Sequence, residues 1–327
     1  MNYQPTHNPS LHQSSPPSID PWAQAQVTRL GRRAPKRPPN PSPSWTRQRR
    51  RSSGCSFFGC ALLVGGFAIL LLILAVYLVF PRKTNVLILG IDYTQPWDWV
   101  GRSDTIILTT FSPLERQISM LSIPRDLWVA IPGYGENRIN TAHFFAESEQ
   151  AGSGPFKSID TIQENFGVET NYYLRLRFEG FKDVINAMGG VDIDLAEPMA
   201  GYPPGRHHLS GNKALAFARH RLGSDDFFRM EQGQLLIKAA FRQMLLPWNW
   251  PRLPVSLMAF MRSIDTNIPA WQLPRLGLTA LLAGPSGIDN RIIEREMVTP
   301  YTTDQGASVL LPNWEQINPL LAELFAR

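Results

Sequence analysis

Arginines and aspartates lie where apolar runs of the sequence end. Arg125 and Asp126 are adjacent in SIPRD, directly after a buried-looking segment and a proline. Asp92 ends an earlier apolar run, and Asp104 stands just before the next one. Farther along, helical segments add three arginines: Arg219, Arg221 and Arg229.

These residue types point to an anionic ligand. Polar groups at strand and helix ends converge at one edge of an α/β sheet, where ligands bind. Arginine forks match phosphate oxygens, and two carboxylates beside them suit Mg²⁺. The set describes a pyrophosphate clamp in which Arg125 grips phosphate, while Asp126 orients an arginine or takes a proton. Ordinary surface ion pairs are the alternative, and spacing alone leaves both interpretations open.

Several common sites are absent from the sequence. It contains no G-x-S-x-G nucleophile elbow, no H-E-x-x-H metal motif and no P-loop. His207 and His208 lie in a stretch rich in proline and glycine, so we expect a solvated turn there rather than a metal site.

Alternating strands and helices must position the charged residues. Strands are predicted over 85–91, 105–112, 116–123, 172–178 and 191–195. Helices are predicted over 156–167, 178–190, after Ser210, and over 225–245. This alternation predicts an α/β sandwich around a central sheet. Residues 247–327 are interrupted by prolines and give weaker signals.

Residues 55–80 contain no charge and are long enough to cross a bilayer as a helix. Nine basic residues precede this segment, whereas only Arg82 and Lys83 follow it at once. The positive-inside bias therefore predicts a single-pass protein with a cytoplasmic N-terminus. Residues 1–54, rich in proline, serine and arginine, are expected to form a disordered basic cytoplasmic tail. Residues 81–327 are expected to form the extracytoplasmic domain.

Net charge argues against a nucleic-acid partner. The formal charge is +5, but residues 1–54 hold nine Lys or Arg and one acidic residue. The rest of the chain therefore holds 23 basic and 26 acidic residues, so its net charge is slightly negative and lacks the basic excess of a nucleic-acid-binding domain. Both cysteines, Cys55 and Cys60, fall in the apolar segment, so the outer domain must be stable without disulfides.

The sequence resembles the LytR-CpsA-Psr (LCP) family. The matching strings lie in order within residues 84–245, and SIPRD and FEGF-x-D-x-x-x-x-x-GGVD are the most specific of them. The matching strings are NVLILGID, GRSDTIIL, SMLSIPRD, RINTAHFFA, SIDTIQENFGV, YYLRLRFEGFKDVINAMGGVDIDL, HLSGNKALAFARHR and DDFFRMEQ. The resemblance implies the LCP fold, a three-layer-like sandwich around a central mixed sheet, with 84–245 as its motif core and 246–327 completing it.

The resemblance also implies an activity. LCP proteins transfer a glycopolymer from a polyprenyl-pyrophosphate carrier onto peptidoglycan with Mg²⁺. By motif, Asp92 and Asp104 would hold the metal, and Arg125 would bind pyrophosphate with Asp126 beside it. Apolar walls would form a tunnel for the polyprenyl tail. The rest of the pyrophosphate clamp would be Arg219, Arg221, Arg229 and Gln232. The general base stays open: Asp104 or Asp126 could serve, or the metal could suffice without one.

Two motifs depart from the family pattern. The long helix usually carries R-x-x-R-Q, but Gln232 and Gly233 replace the second arginine and the glutamine here. The first metal motif, often GSD-x-R, reads GIDYT and lacks its arginine. These losses keep an alternative open, a non-catalytic polyprenyl-phosphate binder that acts in envelope signalling.

Overall fold

The computed structural model describes residues 57–80, 83–93, 99–220 and 226–325. The proposed tail, residues 1–54, lies outside them. The first element is helix α1, Phe57–Val79, and no residue of its apolar stretch Cys60–Leu78 is buried. A helix this long, apolar and exposed fits a single-pass membrane anchor.

A mixed sheet of six strands forms the centre of the domain. Its strand order is β10-β3-β2-β1-β6-β9. β1 pairs antiparallel with β2 and parallel with β6, while β3 pairs antiparallel with β2 and parallel with β10. The six strands are β1 Thr84–Tyr93, β2 Gly101–Ser112, β3 Gln117–Ser122, β6 Tyr172–Arg177, β9 Ile264–Thr266 and β10 Ile288–Ile292.

The other strands form two-stranded sheets. They are β4 Trp128–Ile131 with β5 Gly135–Arg138, β7 Val191–Leu195 with β8 Gly205–Leu209, and β11 Val298–Thr302 with β12 Ser308–Pro312. The helices after α1 are α2 Thr141–Glu149, α3 Gly154–Phe166, α4 Phe178–Ala187, α5 Gly211–Ala218, α6 Asp226–Leu245, α7 Leu253–Ser263, α8 Leu273–Ala283 and α9 Trp314–Phe325.

Apolar side chains alternate along the sheet and bury both of its faces. Leu87, Leu89 and Ile91 of β1 pack in one core cluster with residues of α3 and α9. Ile88 projects to the other face, where α6 and α8 contribute to a second cluster. Period-two alternation therefore gives helix layers on both sides of the sheet, which confirms the predicted sandwich.

The strands and helices predicted for the motif core are present, with shifted ends. One prediction needs correction. The stretch around His207 and His208 is strand β8 rather than a turn, because it pairs with β7, where His208 Nδ1 lies 2.7 Å from Asp192 Oδ1. The weakly patterned C-terminal region supplies both edge strands of the central sheet, β9 and β10.

Candidate functional site

A cavity of about 320 Å³ lies where the central strands meet α4, α5 and α6. Its charged lining comprises three arginines and two aspartates, so one positive charge is in excess. They are Arg125, Arg219, Arg229, Asp92 and Asp104. Apolar walls come from Ile106, Ile107, Ile123, Phe178, Ala218 and Met230. A polar cluster beside an apolar wall suits an amphipathic anion.

A β-bulge positions Asp104. Gly90 of β1 pairs with Thr105, but the next residue, Ile91, pairs with Ser103, so Asp104 is the extra residue of β2. Bulges re-aim side chains near functional sites. The same strand end needs a glycine at position 101, because a Cβ there would lie 2.3 Å from the carbonyl oxygen of Asp92. The backbone thus brings Asp92 and Asp104 to one edge of the sheet.

Each of these aspartates accepts a hydrogen bond from a cavity arginine. Arg125 Nη1 donates to Asp104 Oδ1 at 3.1 Å. Arg219 Nη2 donates to Asp92 Oδ1 at 3.1 Å, and its guanidinium lies 4.6 Å from the centre of the Phe178 ring. The side chains of Arg125 and Asp104 are only 24% and 16% exposed, whereas Arg219 and Asp92 are nearly half exposed. These two ion pairs hold the guanidinium groups of Arg125 and Arg219 in place at the cavity.

Asp126 faces away from this cavity. One oxygen, Oδ2, lies 3.5 Å from Arg125 Nε, and the other, Oδ1, lies 3.3 Å from Arg138 Nε. Asp126 is absent from the cavity lining and borders a neighbouring depression instead. Of the two roles open to Asp126, this geometry favours orienting Arg125 over accepting a proton.

A buried polar network supports the start of β2. His143 Nδ1 lies 2.9 Å from the carbonyl oxygen of Gly101, and Arg175 Nη1 lies 3.3 Å from His143 Nε2. Arg175 also pairs with Glu147 at 3.0 Å and with Asp265 at 2.7 Å. Burial lowers the pKa of His143 to about 4, so its ring is neutral at pH 7. His143 lies in the string RINTAHFFA, which predicted no role for it. The signal in the sequence is a histidine directly before two phenylalanines.

Comparison with known proteins decides the family. A model described as the LytR_cpsA_psr family matches residues 81–325. The chain belongs to this family. It is 31% identical over 246 residues to the polyisoprenyl-teichoic acid–peptidoglycan teichoic acid transferase TagU of Oceanobacillus iheyensis, which covers 73% of this chain and 74% of that protein.

Two further relatives bear on fold and function. The regulatory protein MsrR of Staphylococcus aureus is 28% identical over 214 residues, 63% of each chain. The crystal structure of TagV from Bacillus subtilis superposes with a TM-score of 0.59 and 26% identity, over 75% of this chain and 97% of that one. The solved structure supports the LCP fold of this member.

Gln232 departs from the family motif in position as well as in type. Arg229, Met230 and Gly233 line the cavity, whereas Gln232 is 1% exposed and absent from its lining. At about 100° per residue, Met230 and Gly233 lie to one side of Arg229 around the helix, and Gln232 lies about 60° to its other side. The role of Gln232 in binding pyrophosphate therefore stays a prediction, and its burial outside this lining does not support it. Arg221, the other predicted ligand in this region, lies outside the described residues.

The donor set fits a divalent cation. No group of three or more His, Cys, Asp or Glu side chains that could hold a metal is present among the described residues. Mg²⁺, however, typically uses one or two carboxylates and takes its other ligands from water and substrate phosphates. Asp92 and Asp104 both line the cavity and would supply those two carboxylates. Asp104 Oδ1 is in the Arg125 pair, which leaves Oδ2 outside that pair.

Proposed function

We propose that this LCP protein is a membrane-anchored phosphotransferase that moves a glycopolymer from a polyprenyl-pyrophosphate carrier onto peptidoglycan. The observation that carries the proposal is the cavity in which three arginines and two aspartates meet an apolar wall. TagU, named as a teichoic acid transferase, supports the reaction class.

The arginines are assigned to the phosphates. Arg125, Arg219 and Arg229 bind pyrophosphate oxygens with charge-assisted hydrogen bonds, and the apolar wall holds the first isoprene units. A peptidoglycan hydroxyl attacks the phosphorus that bears the glycopolymer. One P–O bond forms to the acceptor, the pyrophosphate P–O–P bridge breaks, and polyprenyl phosphate leaves with the electron pair. The arginines stabilise the charge that develops on this leaving group.

Asp92 and Asp104 are the residues that would hold Mg²⁺. When bound, the ion would supply Lewis-acid stabilisation of the phosphate charge. Without ligand, the same carboxylates neutralise Arg219 and Arg125. With carrier and cation bound, Arg125 and Arg219 would pair with phosphate, and Asp104 and Asp92 would hold the cation. Of the two candidate proton acceptors, Asp104 lines the cavity and Asp126 does not, which favours Asp104.

The test uses the full chain in lipid bilayers with a polyprenyl-pyrophosphate-linked wall polymer and peptidoglycan. Arg125→Ala should lower the transfer rate by about 100-fold or more, as expected when a group that stabilises developing charge is lost. Arg206→Ala is the matched control, because this exposed arginine pairs with Asp192 on the β7–β8 hairpin. Chelation should stop transfer, and added Mg²⁺ should restore it. Equal rates for the two variants would contradict the clamp.

The non-catalytic alternative predicts a different result. MsrR is named a regulatory protein, and the family arginine at position 232 is missing here. A binder without activity would retain polyprenyl pyrophosphate and release no polyprenyl phosphate. This alternative would be favoured if the unmodified chain binds polyprenyl pyrophosphate but transfers no polymer with any divalent cation, and if Arg125→Ala loses the binding.

A further inference from the structure

Helix α7 buries a polar side chain and exposes apolar ones. Its polar Ser256 is 4% exposed and donates a 2.9 Å hydrogen bond to the carbonyl oxygen of Arg252. By contrast, Leu257 and Met258 are 57% and 54% exposed. In a helix that packs on a water-soluble body the apolar stripe faces inward. Here that stripe faces outward.

Helix α8 likewise buries polar side chains and exposes leucines, although Leu276 and Ala283 also face inward. Arg275 and Thr279 are each 1% exposed, and Arg275 Nη1 donates to Thr84 Oγ1 at 3.3 Å. Leu281 and Leu282, in contrast, are 60% and 49% exposed. Two successive helices with polar groups inside and leucines or methionines outside form a surface that is suited to an apolar medium.

The exposed apolar residues are concentrated in this part of the chain. Outside α1 and Phe80, fifteen large apolar side chains are exposed among the described residues, and ten of them lie within residues 247–283. Three are tryptophans, namely Trp248, Trp250 and Trp271, with exposures of 70%, 59% and 58%. Tryptophan is enriched where a membrane meets water.

The end of the anchor helix lies against the same segment. The Tyr77 hydroxyl donates a hydrogen bond to the carbonyl oxygen of Trp271, and the two ring centres are 6.3 Å apart. Only residues 80–83 separate α1 from β1, a connection that spans at most about 14 Å when fully extended. Trp271 therefore lies beside the C-terminal end of the apolar helix.

We propose that residues 247–283 form a membrane-docking face whose occupant is the interface of the same bilayer that holds α1. The apolar residues enter the boundary between headgroups and acyl chains, and the tryptophans lie at the headgroup level. This inference rests on the membrane anchoring in the proposed function. Docking also bears on catalysis, because α4 packs against α7 and begins at Phe178, a wall of the cavity. The cavity is then about one helix layer, some 8–10 Å, behind the docked surface.

The test measures lipid contact at single positions of the full chain. Cys55 and Cys60 are replaced by alanine, and an environment-sensitive fluorophore is attached to Leu257→Cys or Leu281→Cys. Tyr301→Cys on β11 is the control, because it is also exposed, at 47%. Leu70→Cys in α1 reports whether the anchor itself is inserted. Each variant is placed in lipid nanodiscs with one copy per disc, so that a second copy cannot cover the face.

Spin-labelled lipids with the label near the headgroup quench a fluorophore that lies about 5–10 Å deep. Lipids labelled near the end of the acyl chain are used for position 70, which lies near the middle of α1. We expect quenching of about half or more at positions 257 and 281, and about a tenth or less at 301. Quenching at position 70 without quenching at 257 and 281 would overturn the docking face and leave the anchor intact. Absence of quenching at position 70 would overturn the anchor and docking together. Discs that hold two copies are the comparison. If the fluorophore spectra at positions 257 and 281 change only in those discs, the face binds a protein partner and the lipid proposal is overturned.

Discussion

Arg125 shows how individual residues of the cavity combine two tasks. Its Nη1 pairs with Asp104 and its Nε lies near Asp126, so these two aspartates orient the guanidinium group. The second task, in the proposed function, is to bind phosphate. Apolar runs that end in charges sufficed to predict Asp92, Asp104 and Arg219 at the same cavity. They did not indicate that Gln232 is buried outside this lining, because a motif gives the residue type but not the direction in which a helical side chain points.

Arg125→Ala should cost little stability. Partly exposed ion pairs contribute at most about 1 kcal/mol, which corresponds to about 2–4 °C in the melting temperature of a domain of this size. Thermal unfolding of the full chain measures this directly. A fall in the melting temperature of roughly 10 °C or more would show that Arg125 is mainly structural. A lower transfer rate in this variant would then not indicate that Arg125 binds phosphate.

Gln232→Arg should destabilise the domain rather than restore activity. Gln232 is 1% exposed, so the new guanidinium would be buried without a built partner, at a cost of about 3 kcal/mol or more. Glu231→Arg, at the exposed neighbouring position of the same helix, is the control and should melt near the unmodified chain. Equal melting temperatures for the two variants, with faster transfer by Gln232→Arg, would return position 232 to the phosphate site.

At the scale of elements, the strands that carry the site were predictable and their supports were not. β1, β2 and β3 are runs of β-branched and aliphatic residues, which are typical of buried strands. β9 has three residues, too few for any periodicity, and the sequence around it gives no strand signal. The network of His143, Arg175 and Asp265 joins residues distant in the chain, so only the fold brings it together.

This network predicts a pH dependence of stability. Burial lowers the pKa of His143 from 6.5 to about 4, so the unfolded chain binds a proton between these values and the folded chain does not. Stability should therefore be fully present above pH 6.5 and fall as the pH drops towards 4, by roughly 3 kcal/mol from this group. Melting temperatures from pH 7.5 to 4.5 test this. His143→Gln should show a shallower fall, and an identical slope would exclude His143 as the cause.

At the scale of the whole molecule, the sequence pattern indicated an anchor and a sandwich domain. The charge-free segment predicted α1, and the alternation of elements predicted the layers around the sheet. The docking face was not predictable, because the apolar content of α7 and α8 does not reveal which side of each helix faces outward. Ser256 and Arg275 settle that point in the structure, since both are buried.

Orientation across the membrane follows from the charges beside the anchor. Nine basic residues precede α1, so the N-terminus should remain in the cytoplasm and residues 81–327 should face outward. Alkaline phosphatase fused after Arg327 is active only outside the cytoplasm and should therefore be active. A stable but inactive fusion, together with an active cytoplasmic reporter at the same position, would reverse the topology and remove access to peptidoglycan.

Release of polyprenyl phosphate is the most direct measure of the central claim. The full chain in lipid bilayers is given a polyprenyl-pyrophosphate-linked wall polymer and peptidoglycan, and polyprenyl phosphate is quantified against protein over time. A transferase should release many equivalents per chain, with release requiring both the acceptor and a divalent cation. Carrier that stays bound in its pyrophosphate form, with no release at any acceptor concentration, would contradict the account and leave a binding protein in its place.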